Sequence, residues 1–343
     1  MMSLPMTAET AAYAAEHYIV ELTQVSRRFG AVKAMENVDV QIRPGRMLSI
    51  LGHNGAGKST LIKILAGTLA PSSGEITISG ENVTSRYDMR RAYAHGIRCV
   101  FQELSLCPNL RVFENTRVLH PSLSGWGWRQ KARKLIADAL ERIFPEHGID
   151  VDSPVSELSL SQRQMVEIAR AFTVVDAPIR VIILDEPTSS LDPTCARQLL
   201  EFTRKIRQYG IACIFISHKL KEITDYSDDI VVMRDGRITA SEIAQGLSES
   251  DLLDKMGMVA AGAQAIAPVS PGETGGEKLV EHISGSAAPF PFMVLPGEVV
   301  GLAGLSGQGQ RELLLRILAA AKRHDRTLRV RGRRGVYRRR SPE

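Results

Sequence analysis

The nine residues Gly52-His53-Asn54-Gly55-Ala56-Gly57-Lys58-Ser59-Thr60 constrain the fold of this 343-residue chain more than any other stretch. They satisfy the pattern GxxxxGK[ST] between a compact apolar run, MLSIL at 47–51, and a helix-like run, LIKILAG at 61–67. Glycines let backbone N–H groups approach phosphate oxygens, and a helix N-terminus adds positive potential. Lys58 is placed to bridge the β- and γ-phosphates of a nucleotide, and Ser59 to offer a hydroxyl to Mg²⁺. The expected nucleotide contacts are Gly52, Asn54, Gly55, Ala56, Gly57, Lys58, Ser59 and Thr60. His53 reads as a tolerated loop residue.

A loop of this kind needs a metal-binding carboxylate at the end of a neighbouring strand. Arg180-Val-Ile-Ile-Leu-Asp185-Glu186 supplies one: four apolar residues, then two acids. Asp185 is expected to hold Mg²⁺ and Glu186 to polarise water for attack on a γ-phosphate. Other short, often β-branched runs recur at 97–101, 211–217 and 229–234, separated by amphipathic segments. This alternation predicts an α/β fold whose strands are covered on both faces. In SQRQMVEIARAF, the spacing of Met165, Ile168, Ala169 and Phe172 predicts a helix beginning near Ser161, with Ser161 and Gln164 at capping-box spacing.

Three further elements, in order along the chain, resemble those of ATP-binding cassette (ABC) ATPases. Leu158-Ser159-Leu160-Ser161-Gln162 resembles the family's signature motif, Gln102 in VFQELSL its Q-loop, and Ser190-Leu191-Asp192 followed by His218 its D-loop and switch histidine. Phe29, in RRFGAVKAMENV, is similar to the aromatic residue that stacks on adenine. The resemblance implies a P-loop NTPase with a parallel-sheet core, an N-terminal antiparallel β region and a helical insertion near 105–175. It implies ATP and Mg²⁺ as cofactors. Glu186, His218 and Gln102 would be the catalytic residues, Ser59, Gln102 and Asp185 the metal ligands, and Ser159, Ser161, Gln162 and Asp192 further nucleotide contacts.

The signature departs from Leu-Ser-Gly-Gly-Gln, with Leu160 and Ser161 where glycines often sit. Its continuation, QMVEIA, together with VFQELSLCPNL and ILDEPTSSLD, is similar to bacterial monosaccharide importers of the ribose, galactose and xylose kind. That resemblance implies an ATP-hydrolysing subunit, peripheral on the cytoplasmic face of the membrane. Its permease subunits would dock near Glu103 to Asn115, with a sugar-binding protein outside. Two rival readings are a truncated, inactive or regulatory nucleotide-binding module, and a soluble ABC protein acting on ribosomes or nucleic acid.

The chain divides by composition into a leader (1–16), a nucleotide-binding domain (17–258), a linker (259–279), a fragment of a second cassette (280–321) and a basic tail (322–343). Residues 259–278 contain eleven Gly, Pro or Ala in twenty positions, without periodicity. Residues 295–320 repeat the turn, strand, glycine loop and helix of 43–67. In this copy Gln310 stands where Lys58 does and Arg311 where Ser59 does, and no second signature follows. The copy therefore reads as truncated, and another chain, as in a homodimer, is expected to close the site around Lys58.

The net charge of +5 comes from 43 Lys and Arg against 38 Asp and Glu. Ten of the basic residues and only two of the acidic ones fall in 322–343, leaving the rest at −3. With the positive charge confined to that stretch, no nucleic-acid partner is expected. No apolar run approaches the ~20 residues of a membrane span, and the start lacks a signal peptide's basic region. Cys99, Cys107, Cys195 and Cys213 form no CxxC pair, so the expectation is reduced thiols without structural zinc.

Overall fold

The computed structural model describes residues 18–257 and, beyond them, the short pieces 280–282, 292–294, 300–301, 313–315, 317–318 and 328–330. The chain forms two compact units, Met1–Ala261 and Gly262–Glu343.

In the first unit, β1 (Val20–Phe29) and β2 (Val32–Ile42) form a hairpin that leads into β3 (Met47–Leu51) and α1 (Lys58–Leu65). Next come β4 (Ser73–Ile78), β5 (Glu81–Asn82), α2 (Met89–Ala94) and β6 (Ile97–Val100). Three helices follow: α3 (Val112–Leu119), α4 (Trp128–Ile143) and α5 (Leu160–Ala171). The chain then returns through β7 (Val181–Asp185), α6 (Pro193–Arg207), β8 (Ala212–Ile216), α7 (Leu220–Tyr226), β9 (Asp229–Arg234), β10 (Arg237–Ile243) and α8 (Glu249–Lys255).

These strands make two sheets. One is antiparallel, in the order β2-β1-β4-β5; the other has six strands in the order β10-β9-β3-β8-β7-β6. In the second sheet, β6, β7, β8, β3 and β9 run parallel, and β10 adds an antiparallel edge. Every residue of β3, β7 and β8 is buried, as a strand covered on both faces requires. β2 instead alternates, with Val38, Val40 and Ile42 inward and Asp39 and Gln41 outward, because one of its faces meets water.

Alternation along the central strands divides the core in two. Ile182, Leu184, Cys213 and Phe215 join Phe113, Ile136, Phe144, Val166 and Ile168 of the helical insertion. Ile183, Ile214 and Ile216 point the other way and join Ile50, Leu61 and Ile62 with Val20, Leu22 and Val38 of the antiparallel sheet. The central sheet is thereby held between the helical insertion and the β1–β2 hairpin. Its strands β3, β7 and β8 present their C-terminal ends together, where ligands bind in open α/β sheets.

The insertion falls between β6 and β7, within the span read from the sequence. Helix α5 starts at Leu160, next to the expected Ser161, but its cap differs from that reading. Ser159, not Ser161, is the N-cap, and Gln162, not Gln164, closes the capping box. LSLSQRQ contains two overlapping Ser-x-x-Gln pairs. The second cannot form because Gln164 turns into the core, where it is buried.

The second unit contains a small antiparallel sheet of β11 (Val280–His282), β12 (Phe292–Val294) and β13 (Leu328–Val330), in the order β12-β11-β13. Val280 pairs with both Val294 and Val330. β13 falls inside the stretch read as a basic tail, so three of that stretch's residues are strand. The leader 1–16, the linker 259–279, the second glycine loop from Gly304 to Arg311, and residues 331–343 lie outside the described residues.

Candidate functional site

Residues 52–57 turn the chain from β3 into α1. Gly52 has φ +148, and a Cβ there would lie 2.3 Å from the Met233 carbonyl oxygen of β9, so the close approach of the two backbones requires glycine. Gly57, the N-cap of α1, has φ +104 and provides no side-chain cap. The N–H groups that open α1 are left for a ligand. Ser59 is exposed beside them and Thr60 half-buried, while Ala56 is buried and Asn54 and Gly55 are open to solvent.

The Lys58 side chain turns back across the loop. Its ammonium donates to the carbonyls of Gly52 (2.5 Å) and His53 (3.0 Å). Only 9% of the residue is exposed. Burial lowers the Lys58 pKa, and the Glu186 and Asp185 carboxylates oppose that shift. The positive charge is therefore held at the loop in a poorly hydrated position, where it acts strongly on an arriving phosphate. His53 contacts the Asn54 carbonyl oxygen through Nδ1 (2.8 Å), and its Nε2 lies 3.6 Å from the Asp235 carboxylate.

Asp185 ends β7, and only 8% of it is exposed. Burial raises its pKa and neighbouring Glu186 raises it further, while Lys58 and His218 pull it down. No hydrogen-bond donor reaches its carboxylate among the described residues. Glu186 follows in the left-handed region at φ +50. Its Oε1 lies 2.6 Å from His218 Nε2, and its Oε2 is 3.4 Å from the donating Gln102 Nε2. Gln102, Glu186 and His218, from three separate parts of the sequence, thus meet at one carboxylate.

Phe29 is half exposed at the end of β1, with the Arg27 guanidinium 4.8 Å from its ring centre. A half-exposed aromatic ring of this kind suits stacking on a flat base. Asp192 caps α6 by accepting from the backbone N–H groups of Thr194 (2.9 Å) and Cys195 (3.0 Å). Those bonds hold its carboxyl below the usual aspartate range. Ser159 accepts from Gln162 N (3.2 Å), and the Gln162 side chain accepts from Ser159 N (3.0 Å). These bonds are internal to the start of α5. Among the described residues of the first unit, no hydrogen bond links Ser159, Ser161 or Gln162 to the Lys58 loop.

Two polar clusters escaped the sequence reading. Ser105, three residues after Gln102, donates to Glu167 of α5 (2.6 Å), and Arg170 pairs with the same carboxylate oxygen (2.7 Å). A second cluster joins Thr188, Ser217, Lys219 and Glu222 around the loops that carry Glu186 and His218. The only sequence hint was the proximity of these residues to Glu186 and His218, because the contacts themselves require β7 and β8 to end side by side.

The groups expected from the sequence to hold a cation are a carboxylate, a hydroxyl and an amide oxygen, of Asp185, Ser59 and Gln102. These are hard oxygen ligands of the kind that Mg²⁺ accepts together with phosphate oxygens. The buried Asp185 carboxylate beside Glu186, without a hydrogen-bond donor, fits a site that a divalent cation would neutralise.

A parallel-sheet core with a glycine loop opening a helix, an acid pair on the adjacent strand and a histidine on the next defines a P-loop NTPase of the cassette type. Residues 35–189 match the family model for ABC transporters. The chain is similar, over this stretch and beyond it, to ATP-binding proteins of ABC transporters. It is 38% identical over 321 residues to a ribose import ATP-binding protein of Burkholderia cenocepacia, covering 92% of this chain and 62% of that protein. It is 36% identical over 314 residues to a xylose import ATP-binding protein of Escherichia coli, covering 87% of this chain and 59% of that one. The chain thus spans about three-fifths of the length of these relatives.

Solved structures share the fold. A dimeric ATP-binding cassette in a post-hydrolysis state, bound to ADP and Pi, is 25% identical with a TM-score of 0.56. The match covers 66% of this chain and all of that one. A protein from Clostridium perfringens that is part of an ABC transporter complex is 28% identical with a TM-score of 0.58, covering 71% and 96%. No helix among the described residues is long and apolar enough to cross a membrane.

Proposed function

We propose that this chain binds ATP at the Lys58 loop and hydrolyses it to energise the import of a monosaccharide. The observation that carries the reading is the convergence of Gln102 and His218 on Glu186, next to the buried pair Asp185 and Lys58. A carboxylate held from both sides is suited to orient one water for in-line attack on a γ-phosphate.

In this mechanism the Lys58 ammonium and the N–H groups opening α1 hold the β- and γ-phosphates, and Phe29 stacks on the base. Ser59, Asp185 and Gln102 would hold Mg²⁺, which would supply charge neutralisation at the phosphates. Glu186 orients the attacking water and takes its proton as the bond from the γ-phosphorus to the bridging oxygen breaks, giving ADP and phosphate. His218 keeps the Glu186 carboxylate in place. The pairing of Gln102 with the same carboxylate links this event to residues 103–115, the segment proposed to meet the permease.

The start of α5, with Ser159, Ser161 and Gln162, faces a nucleotide on another cassette, and Asp192 lies along the same interface. The described residues of this chain contain one such helix start, so a second chain completes each site. The dimeric cassette among the similar structures supports this arrangement. The relatives are named as ribose and xylose import ATP-binding proteins, and the reading extends this to permease subunits, an external sugar-binding protein and a position on the inner face of the membrane for this chain. The second unit reads as the opening of a further cassette. Phosphate release from ATP by the full chain, in the presence and absence of Mg²⁺, tests the hydrolytic reading. Magnesium-dependent release supports it, and its absence in a chain that is folded and dimeric contradicts it.

A further inference from the structure

The site depends on two loops leaving adjacent parallel strands, β7 and β8, whose last residues Asp185 and Ile216 are paired. Glu186 N donates to Ile216 O (3.0 Å), which fixes the backbone at the strand ends. Beyond that bond Glu186 sits at φ +50, a strained conformation for a non-glycine residue that persists only where its surroundings hold it.

A cluster outside the reacting groups joins the two loops. Glu222, in the first turn of α7, accepts from Thr188 Oγ1 (2.9 Å) and from Ser217 Oγ (2.9 Å) at the same oxygen, Oε2. Thr188 lies two residues after Glu186, and Ser217 immediately before His218. The other oxygen, Oε1, pairs with the Lys219 ammonium (3.1 Å), which also reaches the Thr188 carbonyl oxygen (3.3 Å). The Ser217 hydroxyl in turn accepts from Lys219 N (3.0 Å), which fixes the direction of its own proton. Thr188 and Ser217 are buried, and the Glu222 side chain is 14% exposed. An ionised carboxylate is acceptor-only, so one Glu222 oxygen can take both hydroxyl protons without rearrangement.

We propose that Glu222 is a positioning residue for hydrolysis, clamping the Glu186 loop to the His218 loop and so holding the Glu186–His218 pair together. The proposal rests on the reading of Glu186 as the group that orients water. Glu222 reaches neither the Lys58 loop nor Asp185 in the hydrogen-bond network, so its removal leaves nucleotide binding intact and disturbs only the catalytic pair.

The test uses the full chain. Glu222→Ala is expected to lower kcat about tenfold or more, the scale of effect that a displaced catalytic group produces, with ATP affinity within about twofold of wild type. Glu222→Gln keeps one oxygen for the two hydroxyls but turns an amide toward Lys219, so it restores part of the loss. In a Glu186→Gln background, Glu222→Ala adds no further loss, because its effect passes through Glu186. Independently of turnover, the NMR resonances of the His218 ring in Glu222→Ala should move toward those of Glu186→Gln.

Wild-type kcat with unmoved His218 resonances in Glu222→Ala overturns the proposal. So does a parallel loss of ATP affinity, or a full additional loss in the Glu186→Gln background. If wild-type protein releases no phosphate while its His218 resonances respond to Glu222→Ala as expected, the clamp stands and the hydrolytic reading fails.

Discussion

His218 Nε2 lies 2.6 Å from Glu186 Oε1, a contact between residues 32 positions apart that the pairing of β7 with β8 brings together. Neither strand end could build it alone. Glu186 leaves β7 in a left-handed conformation that turns its carboxylate across the end of β8, and His218 follows β8 by one residue beyond Ser217. Gln102 reaches the same carboxylate from the end of β6. Three parallel strands therefore each deliver one side chain to one point, beside the loop that β3 delivers.

Removing the Lys58 ammonium leaves the loop without its main fixed cation. Lys58→Ala should raise the Kd for ATP by about tenfold or more, the equivalent of one charge-assisted hydrogen bond. Calorimetric titration of protein shown to remain folded reads this directly, and an unchanged Kd refutes the assignment of the loop.

His120 provides a test of the fold away from the site. It is fully buried, in contact with Tyr93 through Nδ1 and with Thr173 through Nε2 (2.7 Å). Burial pushes its pKa down to about 4, and the nearby cations Arg98 and Arg170 act in the same direction against the opposing charge of Asp176. The unfolded chain, with a histidine near 6.5, binds this proton more readily than the folded one. Stability is therefore full above pH 6.5 and falls as the pH drops from 6.5 toward 4, by up to about 3 kcal/mol from this residue. Denaturant unfolding of wild type and His120→Gln across that range should show a shallower pH dependence in the variant. Parallel curves would place the titrating group elsewhere.

The loop at 52–60 was legible in the sequence because its chemistry is local: glycines, lysine and hydroxyl follow one another, and the strand and helix on either side carry their own periodicity. The acid pair, Gln102 and His218 were legible as separate signals, and the order of the motifs linked them. The Glu222 clamp was not, since its four residues come together only through the neighbouring strand ends. The capping pair of α5 was misplaced by two residues because two such pairs overlap, and the burial of Gln164 decides between them.

The proposed completion of the site by a second chain makes a separate prediction. Specific ATPase activity should rise with protein concentration as dimers form. Mixing Lys58→Ala with Ser159→Arg should recover part of the activity, because in a mixed dimer one site keeps both Lys58 and Ser159 while the other carries both defects. Turnover that is independent of concentration in a demonstrated monomer contradicts the two-chain site.

The central claim is that Glu186 turns bound ATP into ADP and phosphate at this site. Its most direct test measures phosphate release and ATP binding on wild type and Glu186→Gln under the same conditions. The substitution keeps the shape of the side chain and removes the charge that orients water. The account predicts that both proteins bind ATP with similar affinity, and that the variant's turnover falls by about 100-fold or more. Turnover at the wild-type rate in Glu186→Gln would contradict it.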